Sequence, residues 1–546
     1  RVQRTAMKRS PLLLSVVTLI ALSAFSAPQA QEAPKPDLLR QYLSETDAAR
    51  KGELRTKLTS LGGPALREAI AKLAYPKAGQ TGALEFETLC PDGFKRPYYM
   101  HVPPKYDEAR RYPLIIWLHG GVSGAPAEAA SGAIEMWQQA LGDDWSEEVM
   151  VLAPAAIAAD TTEDARWWRD KGQLNVLHML KEVKLAFNVD DERVFVTGMS
   201  DGGSGAFALA ARRPDAFSGF IPMVGHPLVP SFDGTCMFWE NLSKVRIYAI
   251  SGGKDRLYPA AQVAQVVAEA NQNGASIEHK IYEEAGHDLS YAPKEIPRIL
   301  EDMVGKWKRD MALASLDWST DSPAMGRRAW LEITELADLG DLNAKDLKAT
   351  PRSGQARVVL GITMNPELDV TDPVVVDSVA KDSVAEAMGI KAGDVIVGLD
   401  KAKIGNLNDL RAALARKKAG DDVEVEIERD GKSQTLKGKF PQAKSSSGQL
   451  MARIKASTRT VKGERGMERH FELLAANAGK LTLFLTADDV AAGRLSVSIN
   501  GKAMTFDGLA HDAAFILSEF ERTGDRKLPY VARLHIDVAV ALKGAK

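Results

Sequence analysis

The chain has 546 residues, more than one hydrophobic core usually holds, so three or more domains are expected. Its apolar share of 45% and charged share of 26% are those of ordinary globular protein. A formal net charge of −2 supplies no electrostatic reason for nucleic acid or an anionic membrane as a partner.

In chain order, Met7-Lys8-Arg9 forms a short basic region, and Pro11 to Ala27 is apolar apart from Ser and Thr. Small residues at Ala24-Phe25-Ser26 and Pro28-Gln29-Ala30 then offer cleavage sites, which predicts a signal peptide over 1–30. An apolar run of about 17 residues is at the short end for a bilayer span, so no stable membrane insertion is expected after cleavage. The expected location is periplasmic or secreted. Residues 31–80 carry helical spacing (Leu38, Leu39, Tyr42, Leu43, then Leu54, Leu58, Leu61), which predicts two short helices as a packing appendage. Cys90 and Cys236 are the two cysteines, and the sequence leaves open whether they pair.

Residues 81–311 alternate strand and helix. An opening hairpin is predicted over 84–89 and 98–102, then strands near 114–119, 149–154, 193–198, 218–224, 245–250 and 277–283. Helices are predicted near 172–187, 201–212, 260–273 and 294–306. The pattern implies an α/β class with a mostly parallel sheet covered on both faces, and a site at the carboxyl ends of the strands. At one such end, Val194-Phe195-Val196-Thr197 leads into Gly198-Met199-Ser200-Asp201-Gly202, and an Ala-rich run leads out. A strained serine at a strand-to-helix apex needs small neighbours, which Gly198 and Gly202 supply. Asp255 follows the strand at 245–250, in Gly252-Gly253-Lys254-Asp255. His287 follows the strand at 277–283, in Ala285-Gly286-His287. Upstream, Leu118-His119-Gly120-Gly121 closes another strand. His226 is the rival base and lacks the strand-then-Gly-His context. Asp288 is too near His287 in sequence to hold its ring.

The order Ser, Asp, His, with His-Gly-Gly upstream, resembles the α/β-hydrolase superfamily. The Leu-His-Gly-Gly entry and the Gly-Gly-Lys-Asp loop look like feruloyl-esterase, polyhydroxybutyrate-depolymerase and carboxylesterase-type enzymes, and the catalytic half of prolyl-oligopeptidase-type peptidases. The resemblance implies Ser200 as nucleophile, His287 as base, Asp255 as the acid that orients it, and the backbone N–H groups of Gly121 and Asp201 as an oxyanion hole. His119 is expected to orient the loop by hydrogen bonds. Trp167, Trp168 and Arg169, with Trp239 on the 225–241 segment, are candidates for a substrate pocket, with plain packing as the alternative reading.

Farther on, Val359-Leu360-Gly361-Ile362 is similar to the carboxylate-binding loop of PDZ domains, and Lys391-Ala392-Gly393-Asp394-Val395-Ile396 carries the strongest part of that match. It implies a PDZ domain over 353–441, with Leu360, Gly361 and Ile362 facing a peptide C-terminus. Val359 stands where the loop's first glycine is usual, so the domain is expected to be either peptide-binding or purely structural. Ser445-Ser446-Ser447-Gly448 reads as a link. Residues 449–546 read as a small β-rich domain, with an Asn500-Gly501 hairpin turn and a helix near 511–522. The segment 312–352 is expected to connect, and to lend the first strand of that β domain through 327–334.

The reading is an exported serine hydrolase acting on small-molecule or polymer-borne carboxylic esters. A peptidase assisted by its PDZ domain and a catalytically silent peptide-binding scaffold are the alternatives. No metal-ligand spacing or phosphate loop occurs, so no metal or cofactor is expected.

Overall fold

A computed structural model describes residues 38–544 apart from 123–125, 157–164, 233, 353–357, 365–371, 381–382, 415, 442–448 and 464–465. The expected signal peptide, the serine-rich link and part of the loop before Trp167 lie outside the described residues.

Three helices open the structure: α1 (Leu38–Ser44), α2 (Ala48–Ser60) and α3 (Gly63–Ala71). The periodicity predicted two. Gly62-Gly63-Pro64 separates α2 from the additional helix α3, with Gly62 left-handed and Pro64 in the first turn of α3.

The next region is an eight-stranded sheet in the order β1-β2-β4-β3-β5-β6-β8-β9. Its strands are β1 (Gly82–Leu89), β2 (Lys95–Val102), β3 (Tyr112–Leu118), β4 (Met150–Pro154), β5 (Val189–Met199), β6 (Gly219–Met223), β8 (Ile247–Gly252) and β9 (Ile277–Tyr282); β7 is the short Met237–Phe238. The β1–β2 hairpin and β2–β4 pair antiparallel, and every later neighbour is parallel. Every residue of β3, β4 and β6 is buried, which is why these strands are continuous apolar runs instead of alternating ones.

Helices α4 (Pro126–Ser146), α5 (Asp170–Ala186), α6 (Asp201–Arg212), α8 (Ala260–Gln272) and α9 (Ala292–Arg298) accompany the sheet, with α7 (Val229–Phe232) a single turn between them. The sequence reading had no helix at α4, whose run is broken at Gly142 (φ 57°, ψ −167°). The single helix expected over 294–306 is instead α9 followed by a π-turn at Ile299–Val304, a change of pitch that begins just after Pro297. Cys90 and Cys236 are both free and buried.

Strands on either side of the PDZ-like segment share two sheets. Ser315–Thr320 pairs with Ala452–Gly463, and Leu331–Leu336 pairs with Ala478–Thr486. The Asn500-Gly501 turn has positive φ at both residues and joins Arg494–Ile499 to Lys502–Asp507. The apolar core between these sheets and helix Ala513–Thr523 also takes in Leu39, Tyr42, Leu66 and Ile70. The N-terminal helices therefore pack on the C-terminal region.

Residues 358–440 form their own core, with strands Val374–Val375, Val395–Leu399, Asp422–Arg429 and Lys432–Lys439 in one sheet. Arg429 grips Asp394 with Nε and Nη2, both at 2.7 Å. In the expected carboxylate loop, Leu360 is buried and Gly361 is left-handed (φ 83°). A Cβ on Gly361 would stand 2.3 Å from the Ser383 Cβ, so close packing and backbone conformation both require glycine there.

Candidate active site

Ser200 sits between β5 and α6 with φ 57° and ψ −117°, a left-handed, strained conformation for a non-glycine residue. Its neighbours explain the glycines. A Cβ on Gly198 would lie 2.4 Å from the Leu118 carbonyl oxygen, and one on Gly202 would lie 1.8 Å from the same atom. The end of β3 and the start of α6 thus touch backbone to backbone, and only glycine permits that approach. The Ser200 N–H donates to Met223 O at 3.1 Å, tying the turn to β6.

The three predicted side chains meet. His287 Nε2 is 2.9 Å from Ser200 Oγ, and its Nδ1 is 2.8 Å from Asp255 Oδ2. Asp255 is buried, and its Oδ1 accepts the N–H groups of Leu257 and Tyr258, each at 2.8 Å. That Asx-type turn fixes the carboxylate, which in turn fixes the imidazole ring. The two loops converge because Gly252 lets them: a Cβ there would be 2.1 Å from Gly286 O. Asp288 acts on the backbone instead. Its carboxylate accepts from the N–H groups of Gly286 (3.0 Å) and Ser290 (2.8 Å), shaping the turn that carries His287. Bonds from Ser290 hold its pKa below the usual carboxylate range.

The loop after β3 stands beside the serine: a Cβ on Gly120 would be 3.0 Å from the Ser200 Cβ. His119 is buried. Its Nδ1–H donates to Gly120 O (2.8 Å) and its Nε2 accepts the Ala156 N–H (3.1 Å), an arrangement of the neutral ring. Burial lowers its pKa, consistent with that form. The Asp201 carboxylate accepts the Val122 N–H at 3.2 Å, and the Gly121 N–H also faces it. Burial raises the Asp201 pKa above the ordinary value.

The pocket candidates are placed differently. Trp167, Trp168 and Trp239 are 1%, 4% and 2% exposed, so none presents a ring face to solvent, and all three belong to the sheet's apolar core. The packing alternative describes them. Trp167 also supports the loop after β3, because its Nε1–H donates to His119 O at 2.9 Å and its ring meets the His119 ring edge-on at 5.1 Å. Arg169 stands at the N-cap of α5. Sequence reasoning missed Tyr258, whose ring lies 5.5 Å from that of His287 and 5.8 Å from that of His226. Its position three residues after Asp255 was the available signal. His226, the rival base, keeps Nδ1 on the Leu228 N–H at 3.1 Å. Among the described residues, no group of three or more His, Cys, Asp and Glu side chains could hold a metal ion. No helix among them is long and apolar enough to cross a membrane.

Residues 152–311 match the dienelactone hydrolase family, and residues 358–439 match the PDZ domain. Over 183 residues the chain is 28% identical to poly(3-hydroxyalkanoate) depolymerase C of Paucimonas lemoignei, covering 30% of this chain and 42% of that one. Over 125 residues it is 29% identical to a probable feruloyl esterase C of Aspergillus terreus, covering 22% and 43%. Over 70 residues it is 44% identical to the serine protease Do-like HtrA of Bacillus subtilis, covering 13% and 16%. The chain thus spans less than half the length of each of these relatives. It carries an α/β-hydrolase domain of the dienelactone hydrolase type and a PDZ domain.

Proposed function

We propose that a chain joining an α/β-hydrolase domain to a PDZ domain is an exported serine hydrolase of carboxylic esters, working through an acyl-enzyme. The observation that carries the reading is the unbroken line Ser200 Oγ, His287 Nε2, His287 Nδ1, Asp255 Oδ2, with links of 2.9 and 2.8 Å. A serine hydroxyl becomes a competent nucleophile when a base within hydrogen-bond reach takes its proton. His287 takes it, Asp255 stabilises the imidazolium, and His287 then delivers the proton to the leaving alcohol. Water attacks the acyl-enzyme by the same route. The oxyanion is received by the backbone N–H of Asp201 and by that of Gly121, which exchanges the Asp201 carboxylate for the substrate oxygen. Ester over amide is supported by the esterase and depolymerase among the relatives. The basic, apolar and small-residue pattern of residues 7–30 supports export.

The test is hydrolysis of a short-chain nitrophenyl ester by the mature protein beside its Ser200→Ala variant, with fluorophosphonate labelling of both. Turnover and labelling that both vanish in the variant support the reading. Turnover that survives in Ser200→Ala removes Ser200 as nucleophile. Labelling at Ser200 without ester turnover directs the same machinery to amides.

A further inference from the structure

The residue after the nucleophile also brings a side chain to the oxyanion loop. Asp201 is the first residue of α6, where the positive end of the helix dipole favours an anion. Its carboxylate turns back across the elbow toward the end of β3. Oδ2 accepts the Val122 N–H at 3.2 Å, and the Gly121 N–H also faces it. Arg166, before α5, and His287, after β9, are the other charged or titratable groups whose fields reach it.

That loop needs outside support. Two successive glycines, Gly120 and Gly121, give the backbone its greatest freedom just where a donor must be aimed. Gly121 is held left-handed at φ 60°, yet no atom of the described residues lies within 4 Å of where its Cβ would stand. Space does not dictate that conformation; hydrogen bonds do. On the carbonyl side, Trp167 Nε1–H donates to His119 O at 2.9 Å, and His119 Nδ1–H donates to Gly120 O at 2.8 Å. On the N–H side the partner is Asp201. The loop's donors thus meet one anion in the resting enzyme and are to meet another, the oxyanion, during reaction. A partner of the same charge holds them aimed at where charge develops. Val122 stands one residue beyond Gly121, so its bond to Asp201 persists when Gly121 turns to the substrate.

We propose that the Asp201 side chain is a positioning residue for the oxyanion hole: its carboxylate orients the N–H groups of Gly121 and Val122 in the resting enzyme, yields Gly121 to the oxyanion and keeps Val122. The role rests on the serine-hydrolase reading above and adds a second duty to a residue whose backbone N–H is itself a donor. Alignment of these donors counts only once charge develops on the substrate oxygen. Losing it therefore lowers kcat and leaves KM nearly unchanged.

The experiment compares the full-length mature protein with Asp201→Ala and Asp201→Asn. It reads kcat and KM on a short-chain nitrophenyl ester, and the rate constant for fluorophosphonate labelling of Ser200. Alanine removes the acceptor, whereas asparagine keeps an acceptor oxygen without the charge. Asp201→Ala should lose at least about tenfold in kcat and in labelling rate, with KM within about twofold. Asp201→Asn should restore both rates to within about threefold of wild type. Asp201→Glu keeps the charge and displaces the acceptor by one methylene, so it should lose kcat even if alanine unfolds the chain. Alanine or glutamate rates within about twofold of wild type overturn the role. So does a faster alanine variant, which would make the carboxylate a competitor of the oxyanion, and so does an asparagine variant as slow as alanine. Each of these results leaves wild-type turnover and labelling in place, and with them the serine-hydrolase reading. A wild type that neither hydrolyses the ester nor labels overturns that reading and this role together.

Discussion

Replacing Gly202 by alanine probes the contact on which the candidate site is built. The new methyl carbon would stand 1.8 Å from Leu118 O, 2.5 Å from the Leu118 carbonyl carbon and 3.0 Å from His119 O. Ordinary contact needs roughly 3.5 Å, so the end of β3 and the start of α6 must part by more than about 1 Å. Both sides are backbone, so no side chain can rotate away. Overpacking of this kind costs about 1–3 kcal/mol, and a domain of this size loses roughly 2–4 °C in melting temperature per kcal/mol. The larger effect falls on chemistry. The loop after β3 carries Gly120 and Gly121, the turn into α6 carries Ser200, and misplacement of about 1 Å costs on the order of a hundredfold in rate. Gly202→Ala should therefore lose roughly a hundredfold in kcat/KM on a nitrophenyl ester while melting about 3–10 °C lower. Gly52→Ala is the control: nothing lies within 4 Å of its Cβ, it sits in α2, and it should melt at or above wild type with unchanged activity. A Gly202→Ala protein with wild-type melting and kcat/KM within twofold would refute the elbow argument.

Three further outcomes follow from the same geometry. Asp525 is buried against Arg309 and Lys184, and Lys184 keeps Asp191 at 3.0 Å, so Asp525→Asn strands the buried Arg309 and should lower stability by about 3–5 kcal/mol in urea unfolding; a loss below about 1 kcal/mol would contradict it. Burial raises the Glu519 pKa, but the Arg522 hydrogen bond and the Arg327 charge outweigh it and bring the group to about 2. A depressed carboxylate stabilises the fold above its unfolded pKa, near 4.3, and loses that contribution as pH falls toward 2. That is about 3 kcal/mol, and Glu519→Gln should flatten the acid limb of a stability–pH curve; an unchanged limb counts against the pair. Trp167→Phe deletes the bond to His119 O, and should cut kcat about fivefold with little change in KM, a split that wild-type kinetics in the variant would deny.

The candidate site was legible in the sequence because each part is local: a strand end, a glycine that permits close approach, and one candidate residue. Ser200, Asp255 and His287 each announce themselves within a few residues, and the parallel sheet supplies their convergence. What was not legible depends on which face a residue turns inward. Trp167 beside Trp168 reads equally well as pocket or core, and only the fold shows Trp167 beneath the His119 carbonyl. The single helix read over 294–306 ignored Pro297, where the pitch changes. The partners of α1 to α3 lie more than 400 residues away, at Glu521 and Leu528, and no periodicity encodes that pairing. The same holds for Lys184 and Asp525, whose meeting depends on how two separate layers stack.

The PDZ-bearing segment leaves and rejoins the chain at one place. On entry, Pro351–Arg352 pairs with Met237–Phe238 of β7. On exit, the Gln449 side chain donates to Asp321 O at 3.2 Å. Arg212 links the two points, with Nη1 donating to Cys236 O at 2.8 Å and lying 3.4 Å from Asp321 Oδ1. An insertion whose ends lie close together leaves the host sheets undisturbed, which is why Ser315–Thr320 and Leu331–Leu336 still find partners more than a hundred residues later. The tether falls at the end of α6, the helix that Ser200 caps at its other end. The entry strand also meets α8, where Arg352 pairs with Glu269, so the PDZ-bearing segment is tied to the hydrolase at two helices, α6 and α8.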